Sequence, residues 1–510
     1  MKRFLSVIMT VIMAVATLSV ATFGFGCGGS DPNTVKYIIY TSGGNIDGSE
    51  RIAEAFDQEV YEKLGFHVEL EYLGFNTYSQ QLSLYQETKA DFDMCFTGSI
   101  IADLPYSENA VDGYFADITN DLPVHAPELY ASMESSVWDA AKINGKIYGV
   151  INEQIFARSV GLSIHKDVAE AIGLTQEKID TQNVTYRQAI IDAMEYIKAS
   201  PEYGAVGEVP STTLVIGKAW EDIFMQNYSL DALGTSAYYP GIIEAGEDGS
   251  TTVFNQYTSK YFKEFADFCR EMYERGYMTT QQASNPITTN QRVRITGTYK
   301  PGEEPSLKNA IGVDFIQFRF GDPLLTTSSV TTSMTAINAN SKKVDKCLKL
   351  LNAIHTDAEL YNLLALGMEN IDYTWATGYE DDDSEYQYII YSKHQNANYK
   401  LNTDWSVGKE ILAYRKEGQS ATVVQEVKAL NANSRKSSAY GFTYQPKTVS
   451  SARLADTYRI ANNYITKFLN GTYNSEMTNQ EIIDEMVGQM TYANDIIAEK
   501  QSQLNAFLNK

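Results

Sequence analysis

The sequence predicts an α/β fold built on an open, mostly parallel sheet, and three observations support this class. Short apolar segments of strand length alternate with amphipathic segments of helix length from residue 34 onward. The chain has 510 residues, 44% of them hydrophobic, which is enough for two lobes with a large core. The cysteines show no CxxC or zinc-like spacing, so we expect no disulfide framework and buried free thiols at Cys269 and Cys347.

The alternation is clearest at the start of the predicted domain. The segment "TVKYIIYTSGG" (34–44) predicts a buried strand that ends in a glycine-containing loop. Apolar residues at helical spacing in 49–65 predict a helix that ends at a glycine. Alternating apolar residues at 67–75 predict a second strand, a helix follows at about 78–88, and "DFDMCFTGS" (91–99) predicts a third strand.

In such a sheet, ligands bind at the carboxyl ends of the strands. The loops at 42–47 and 97–99 are therefore candidate ligand contacts, and Asn45 and Thr97 are the polar side chains we select from them.

The later segments are mostly helical. Apolar faces predict a helix at 259–276, a helix pair at 342–367 and a further helix at 450–469. The capping box formed by Thr478 and Glu481 predicts one last helix that runs to about residue 507.

Charge and aromatic content narrow the function. The formal net charge of −23 repels nucleic acid, so a nucleic-acid-binding role is excluded. The 35 tyrosines favour a groove that holds sugars or peptides, because tyrosine offers a flat apolar face with a polar tip.

The N-terminal region has the pattern of a secretory signal: a basic start, an apolar run from residue 4 to residue 26, and then Cys27. The segment resembles a bacterial lipoprotein signal, in which the cysteine becomes the lipidated first residue. We therefore expect a signal peptide at 1–26, a lipidated tether at 27–33, and a location on the extracellular face of the bacterial membrane. An uncleaved anchor helix and ordinary secretion remain the alternatives.

Longer segments resemble the extracellular solute-binding proteins (family 1 type), the receptors of ABC importers. "INGKIYGVINEQ" (143–154) is similar to the point where their chain crosses between lobes, with Ile151 in place of the family's proline. The segment "KLLNAIHTDAELYNLLALGMENIDYTW" resembles a large lipoprotein subgroup with an extra C-terminal domain of unknown function. "WSVGKEILAY" and "KALNANSRKSSAYGFTY" also resemble that subgroup, and "SIHKDVAEAIGLT", "TYRQAIIDAMEYIKAS" and "YFKEFADFCREMYERGYM" resemble the wider family.

The resemblance implies a two-lobed, periplasmic-binding-protein-like (type II) fold with crossing hinge strands and a helical C-terminal extension. Lobe one would comprise residues 34–150 and 310–372, and lobe two would comprise 151–309. Residues 373–510 would form a mostly helical region packed on lobe two. Such a protein binds a ligand by closing its lobes, delivers it to a permease and catalyses no reaction. We expect a monomer that captures a carbohydrate, with an oligosaccharide favoured.

Sugar sites combine flat apolar walls with a few placed polar groups. From the tryptophans, the residues beside the crossing points and the strand ends, we select as ligand-binding candidates Trp375, Tyr373, Trp220, Tyr78, Asn45, Asp93, Thr97, Asn152, Glu153, Arg319 and Trp405.

We expect no cofactor, no metal and no catalytic residue, since the sequence has no GxSxG, P-loop or GxGxxG motif, and the acidic run at 379–386 lacks the register of a calcium loop. Two alternatives stay open. A peptide receptor of the same type would hold peptide termini with an Asp/Arg pair. A surface glycosidase or glycan-binding protein would need two carboxylates that flank a cleft.

Overall fold

The computed structural model describes residues 31–43, 46–101, 105–200, 220–245, 249–277, 292–379, 385–392 and 399–509. The expected signal peptide, Cys27, Asn45 and most of the acidic run lie outside the described residues. Among the helices that the structure describes, none combines the length and the hydrophobicity needed to span a bilayer.

The first sheet forms the centre of lobe one, and its strand order is β2-β1-β3-β12-β6. β12 runs antiparallel to β3 and β6, whereas β1 pairs in parallel with β2 and β3. Four of its five strands therefore run in the same direction, but only two of its four pairings are parallel, so the mostly parallel sheet that we predicted is interrupted by β12. Its strands are β1 (Thr34–Thr41), β2 (His67–Gly74), β3 (Met94–Thr97), β6 (Gly149–Ile151) and β12 (Met334–Ile337).

The second sheet forms the centre of lobe two, with the order β10-β7-β11-β15. Its two longer pairings are antiparallel: β7 runs against both β10 and β11. Its strands are β7 (Arg158–His165), β10 (Val293–Thr298), β11 (Phe315–Leu325) and β15 (Arg435–Lys436). The short hairpins are β4 (Lys142–Ile143) with β5 (Lys146–Ile147), β8 (Leu230–Asp231) with β9 (Ile243–Glu244), and β13 (Tyr373–Tyr379) with β14 (Glu385–Tyr391).

Helices cover both sheets. The lobe-one helices are Ser49–Leu64, Phe75–Thr88, Tyr106–Val111, Leu122–His125, Pro127–Ser132, Ser135–Ala140, Val344–Thr356 and Ala358–Leu366. The remaining α-helices are Lys166–Ala171, Gln176–Gln182, Tyr186–Ala199, Lys260–Glu274, Glu304–Ile311, Thr327–Val330, Val423–Ala432, Ser451–Leu469, Asn479–Gln489 and Ala493–Leu508. A π-helical turn lies at Trp220–Met225, and 3₁₀ turns lie at Gln256–Thr258, Asp404–Ser406 and Glu410–Leu412.

The final helix differs from the sequence prediction. The capping box at Thr478 is present, with its hydroxyl accepting from the Glu481 N–H. The helix that it opens ends at Gln489, and a separate helix begins at Ala493. The single helix that we predicted to run to residue 507 is therefore wrong, because the backbone leaves helical geometry at Met490 (ψ 63°).

The boundary of lobe two is also corrected. We predicted that the chain returns to lobe one at residue 310, but β11 pairs with β7 from Phe315 to Phe320 and again at Leu324. The chain re-enters lobe one only after Leu325, through the turn that precedes β12.

The C-terminal region is divided between the lobes. Tyr373, Ile389, Tyr399, Leu401 and Val407 are buried in the core of lobe one, so this part of the C-terminal region does not pack on lobe two as we predicted for residues 373–510. The helix Ser451–Leu469 and the helix after it do pack into the core of lobe two, through Tyr464 and Phe468 among others.

Asp93 lies at the base of the first sheet in a buried ion pair. Its carboxylate is 2.7 Å from Lys343 Nζ, and the two side chains are 2% and 5% exposed. It also accepts hydrogen bonds from the Lys36 N–H and the Ser341 hydroxyl. Asp93 therefore has a structural role, and its predicted role in binding sugar hydroxyls stays a prediction that these contacts do not support.

We expect Asp93→Asn to lower the free energy of unfolding by about 3 kcal/mol, because it leaves the buried Lys343 charge without its counter-ion. Urea denaturation measures this value. The matched control is Asp345→Asn, which breaks an exposed pair with Lys349 and should change stability by less than about 0.5 kcal/mol. Equal losses for the two variants would contradict the assignment.

A buried lysine links the last helix to lobe two. Lys500 Nζ donates to the Gly241 carbonyl at 2.8 Å and to the Thr235 hydroxyl at 3.2 Å. Burial lowers the pKa of Lys500 from 10.5 to about 7, and the nearby Asp231 charge partly opposes this shift.

This pKa gives stability a defined pH dependence. Between pH 7 and pH 9 the unfolded chain holds the Lys500 proton and the folded chain releases it, so raising the pH favours folding by about 2 kcal/mol. Lys500→Met should remove that increase when unfolding is measured at both pH values, whereas the exposed Lys428→Met should preserve it. Parallel pH profiles for wild type and Lys500→Met would contradict the prediction.

Candidate functional site

A cavity of about 470 Å³ lies between the two lobes. Lobe one contributes the loop after β3 and the helix Tyr106–Val111, and lobe two contributes residues 230–239 and part of the π-helical turn. The turn that re-enters lobe one, residues 443–446 and isolated residues such as Arg158 and Thr298 also line it. The volume is within the usual range for a small-molecule site.

The lobe-one wall is held close to the crossing turn. The Ser99 N–H donates to the Thr331 carbonyl at 2.9 Å, and the Ser99 hydroxyl donates to the Ser328 carbonyl. A Cβ at Gly98 would lie 2.1 Å from the Thr332 carbonyl oxygen, so only glycine permits this approach. The predicted contact loop at 97–99 therefore borders the cavity, through Ser99.

The loop that forms the lobe-two wall of the cavity is held in place by hydrogen bonds, several of them to the C-terminal region. Asp231 is 2% exposed and accepts hydrogen bonds from the Leu233 N–H and the Ser437 hydroxyl, and burial raises its pKa. Lys500 binds the same loop through Thr235 and Gly241. The C-terminal region thus positions one wall of the cavity.

Hydroxyl and amide side chains dominate the polar lining, among them Ser99, Ser107, Gln226, Thr235, Ser236, Thr298, Thr326 and Gln445. Three lining residues carry a buried polar atom without a hydrogen-bond partner among the described residues: Gln226 Oε1, Ser328 Oγ and Gln445 Nε2. Unpaired buried polar atoms are costly, so a ligand that supplies their partners is stabilised.

Apolar surface is interleaved with these groups, through Ile100, Met225, Leu324 and the Tyr239 ring. Sugar hydroxyls both donate and accept hydrogen bonds, and sugar C–H faces pack against apolar or aromatic walls. The cavity therefore has the composition that a carbohydrate requires.

Three candidates from the sequence are buried in the lobe cores. Trp220 is 0% exposed and packs against Phe262 and Phe265 in lobe two. Tyr78 is 1% exposed and donates its hydroxyl to a backbone carbonyl in lobe one, and Thr97 is equally buried. None of these three side chains lines the cavity, so their predicted contact with a ligand has no support from this site.

Asn152 and Glu153 belong to the hinge. The Asn152 amide donates to the Ser333 hydroxyl at 3.1 Å and to the Ser406 carbonyl at 2.8 Å. Glu153 forms an ion pair with Lys409 at 2.6 Å. Both side chains hold crossing segments together and neither lines the cavity, so their predicted role in binding sugar hydroxyls has no support from this site.

The remaining candidates lie away from the cavity. Arg319 lines a larger groove of about 990 Å³ that residues of lobe two alone enclose, together with Asp180 and Tyr228. Trp405 is half-buried against Tyr40 and Phe96 in lobe one.

Trp375 and Tyr373 lie on β13 of the hairpin. Trp375 is 39% exposed and its ring centroid is 4.7 Å from that of Tyr414, whereas Tyr373 is buried. Neither residue lines the cavity.

The sequence reasoning missed most of the lining. The clearest available signal was "TTSSVTTS" (326–333), a run of hydroxyl residues immediately before β12 that forms the crossing turn. Gln226 and Gln445 carried no comparable signal, because they meet at the cavity only through the fold.

Comparison with known proteins gives a consistent picture. No sequence-family profile matches the chain. The chain is 24% identical over 493 residues to a carbohydrate ABC transporter substrate-binding protein of Streptococcus pneumoniae serotype 4 (strain ATCC BAA-334 / TIGR4), with 94% of this chain and 92% of that protein covered.

Solved structures extend the similarity to the fold. The N-glycan transport solute-binding protein NgtS of Streptococcus pneumoniae superimposes with a TM-score of 0.77 at 21% identity, over 94% of this chain and 99% of NgtS. NgtS in complex with Man1GlcNAc gives a TM-score of 0.73 at 21% identity, over 94% and 100% of the two chains. The chain therefore has the two-lobed fold of the extracellular solute-binding proteins of ABC importers, as its sequence resemblance predicted.

Proposed function

We propose that this chain is the carbohydrate receptor of an ABC importer, and that it binds an oligosaccharide between its lobes and delivers it to a permease as a monomer. The observation that carries the proposal is the cavity itself, which both lobes line with hydroxyl and amide groups. The N-glycan receptor with the same fold, which has been solved with a bound saccharide, supports the ligand class.

The cavity also contains the residue types named for the two alternatives. Arg158 and Asp231 are the residue types that a peptide receptor needs to hold peptide termini. Both side chains, however, already form hydrogen bonds to other residues of the cavity walls and their surroundings. Glu108 and Glu221 place one carboxylate on each lobe, which is the arrangement that a glycosidase would need. We infer binding without turnover, so Man1GlcNAc incubated with the protein should be recovered intact, and short peptides should not bind.

The binding test is calorimetric titration of the soluble chain with Man1GlcNAc. Gln226→Ala and Gln445→Ala should each weaken binding about tenfold, the equivalent of one hydrogen bond worth about 1.4 kcal/mol. Arg319→Ala, in the groove on lobe two, is the control and should bind as wild type does. Equal affinity for all four proteins would place the ligand elsewhere.

The prediction that Trp375 contacts the ligand is tested in the same titration. If the ligand occupies the cavity alone, Trp375→Ala should change affinity less than twofold. A loss of tenfold or more would extend the site to the β13–β14 hairpin.

We further propose that Cys27 is lipidated and anchors the receptor on the outer face of the membrane. Cells fed a labelled fatty acid should incorporate label into wild type and into Cys347→Ser, a buried thiol in lobe one, but not into Cys27→Ser. Label on Cys27→Ser, or release of the wild-type chain into the medium, would refute the anchor.

A further inference from the structure

Much of the lobe-two side of the cavity is formed by one loop, residues 231–241, which we call the wall loop. Thr235, Ser236 and Tyr239 are among its residues that line the cavity, so they bring hydroxyl groups and an aromatic ring to a ligand. The conformation of the wall loop therefore determines where a ligand meets these groups.

The wall loop has a backbone conformation that its surroundings impose. Leu233 has a φ of 64°, in the left-handed region that a leucine rarely adopts, and Gly234 follows with a φ of 73°. A Cβ at Gly234 would lie 2.7 Å from the Thr443 Cα. The Leu233 N–H donates to the Asp231 carboxylate at 2.7 Å, and the Leu233 carbonyl accepts from the Tyr444 N–H at 3.0 Å. Such a conformation persists only while contacts of this kind hold it.

The last helix supplies a further set of contacts, through Lys500. Its Nζ lies within hydrogen-bond distance of three oxygens of the wall loop: the Gly241 carbonyl at 2.8 Å, the Thr235 hydroxyl at 3.2 Å and the Ala232 carbonyl at 3.5 Å. The ammonium group has three N–H donors, one for each oxygen, whereas the neutral amine has two and lacks the charge that strengthens the bonds. Lys500 itself is 0% exposed and does not line the cavity.

We propose that Lys500 is a positioning residue for the ligand: its ammonium group holds the wall loop in the binding conformation without touching the ligand. The inference rests on the proposed carbohydrate-binding function and names a residue that regulates it. If the wall loop leaves this conformation, the apparent affinity falls in proportion to the fraction of molecules that retain it. Loss of the ammonium charge, by substitution or by deprotonation, should therefore weaken binding.

The groups that face Lys500 determine how pH affects the wall loop. Among the described residues, Asp231 and the Tyr444 ring, whose centroid is 5.5 Å from Nζ, face it from other elements. On the same helix, Glu499 accepts a hydrogen bond from the Tyr444 hydroxyl. Burial raises the pKa of Tyr444, so that hydroxyl stays protonated near neutral pH, whereas burial lowers the pKa of Lys500 to about 7. Asp231 is retained in every variant below, so its titration is common to all of them.

The test is calorimetric titration of wild type and Lys500→Met with Man1GlcNAc at pH 6 and at pH 8.5. Methionine retains a stem of similar length and removes the three donors. At pH 6 we expect Lys500→Met to bind about tenfold more weakly, as it would if the wall loop were in place in about a tenth of the molecules. At pH 8.5 wild type has lost the Lys500 proton, so the difference should narrow to about threefold.

Gln501→Ala is the matched control on the same helix. Gln501 accepts from the Val253 N–H and donates to the Thr251 carbonyl, and neither of these two residues lines the cavity. This variant also loses hydrogen bonds of the last helix, yet it should bind as wild type does at both pH values. Amide hydrogen exchange without ligand should be faster in the wall loop of Lys500→Met alone, and it verifies that each variant is folded.

The outcomes separate this inference from the function on which it rests. Failure of wild type to bind Man1GlcNAc would overturn the proposed ligand class and, with it, the role of Lys500 in binding. Wild-type binding that Lys500→Met leaves unchanged at pH 6, or that Gln501→Ala weakens equally, would overturn the inference alone. A difference that stays the same at pH 8.5 would overturn the assignment to the ammonium form.

Discussion

The arrangement of the two lobes depends on the hydrogen bonds of one buried amide, that of Asn152. The chain passes between the lobes at 152–157, and again in the turn before β12. Asn152 joins these passages to each other and to a third segment: its backbone N–H donates to the Ser333 carbonyl, its side chain donates to Ser333 and Ser406, and it accepts from Thr335. Because every polar atom of this amide is paired in the interior, the crossing point has one defined geometry.

The segment that follows Ser406 extends this junction toward lobe two. The Glu153 N–H donates to the Gly408 carbonyl, and the Glu410 N–H donates back to the Glu153 carbonyl. Glu410 also forms an ion pair with Lys300, which follows β10. Lys500 gives a second example of a C-terminal residue that fixes a distant segment. It lies on the last helix of the chain and donates to the Gly241 carbonyl, more than 250 residues earlier, beside the lobe-two wall of the cavity. The C-terminal region is therefore integrated with both the lobe junction and one wall of the cavity.

Local sequence patterns predicted the secondary structure correctly where apolar periodicity determines it. The strands and helices between residues 34 and 99 follow from apolar periodicity alone, and they agree with the structure to within a few residues. The break at Met490 was missed because apolar spacing continues across it. The burial of Trp220 could not be predicted, because its position at a predicted strand end is local information, whereas its burial depends on Phe262 and Phe265, more than forty residues later. The cavity lining was beyond prediction for the same reason, since it joins residues from many separated parts of the chain between Ser99 and Leu454.

A crystal structure of the protein with bound Man1GlcNAc tests most directly the claim that a carbohydrate binds between the lobes. We expect density for the sugar between the helix Tyr106–Val111 and residues 230–239, with its hydroxyls within hydrogen-bond distance of Gln226 and Glu108. Density in the groove around Arg319, or against Trp375 on the hairpin, with the interlobe cavity empty, would contradict the account.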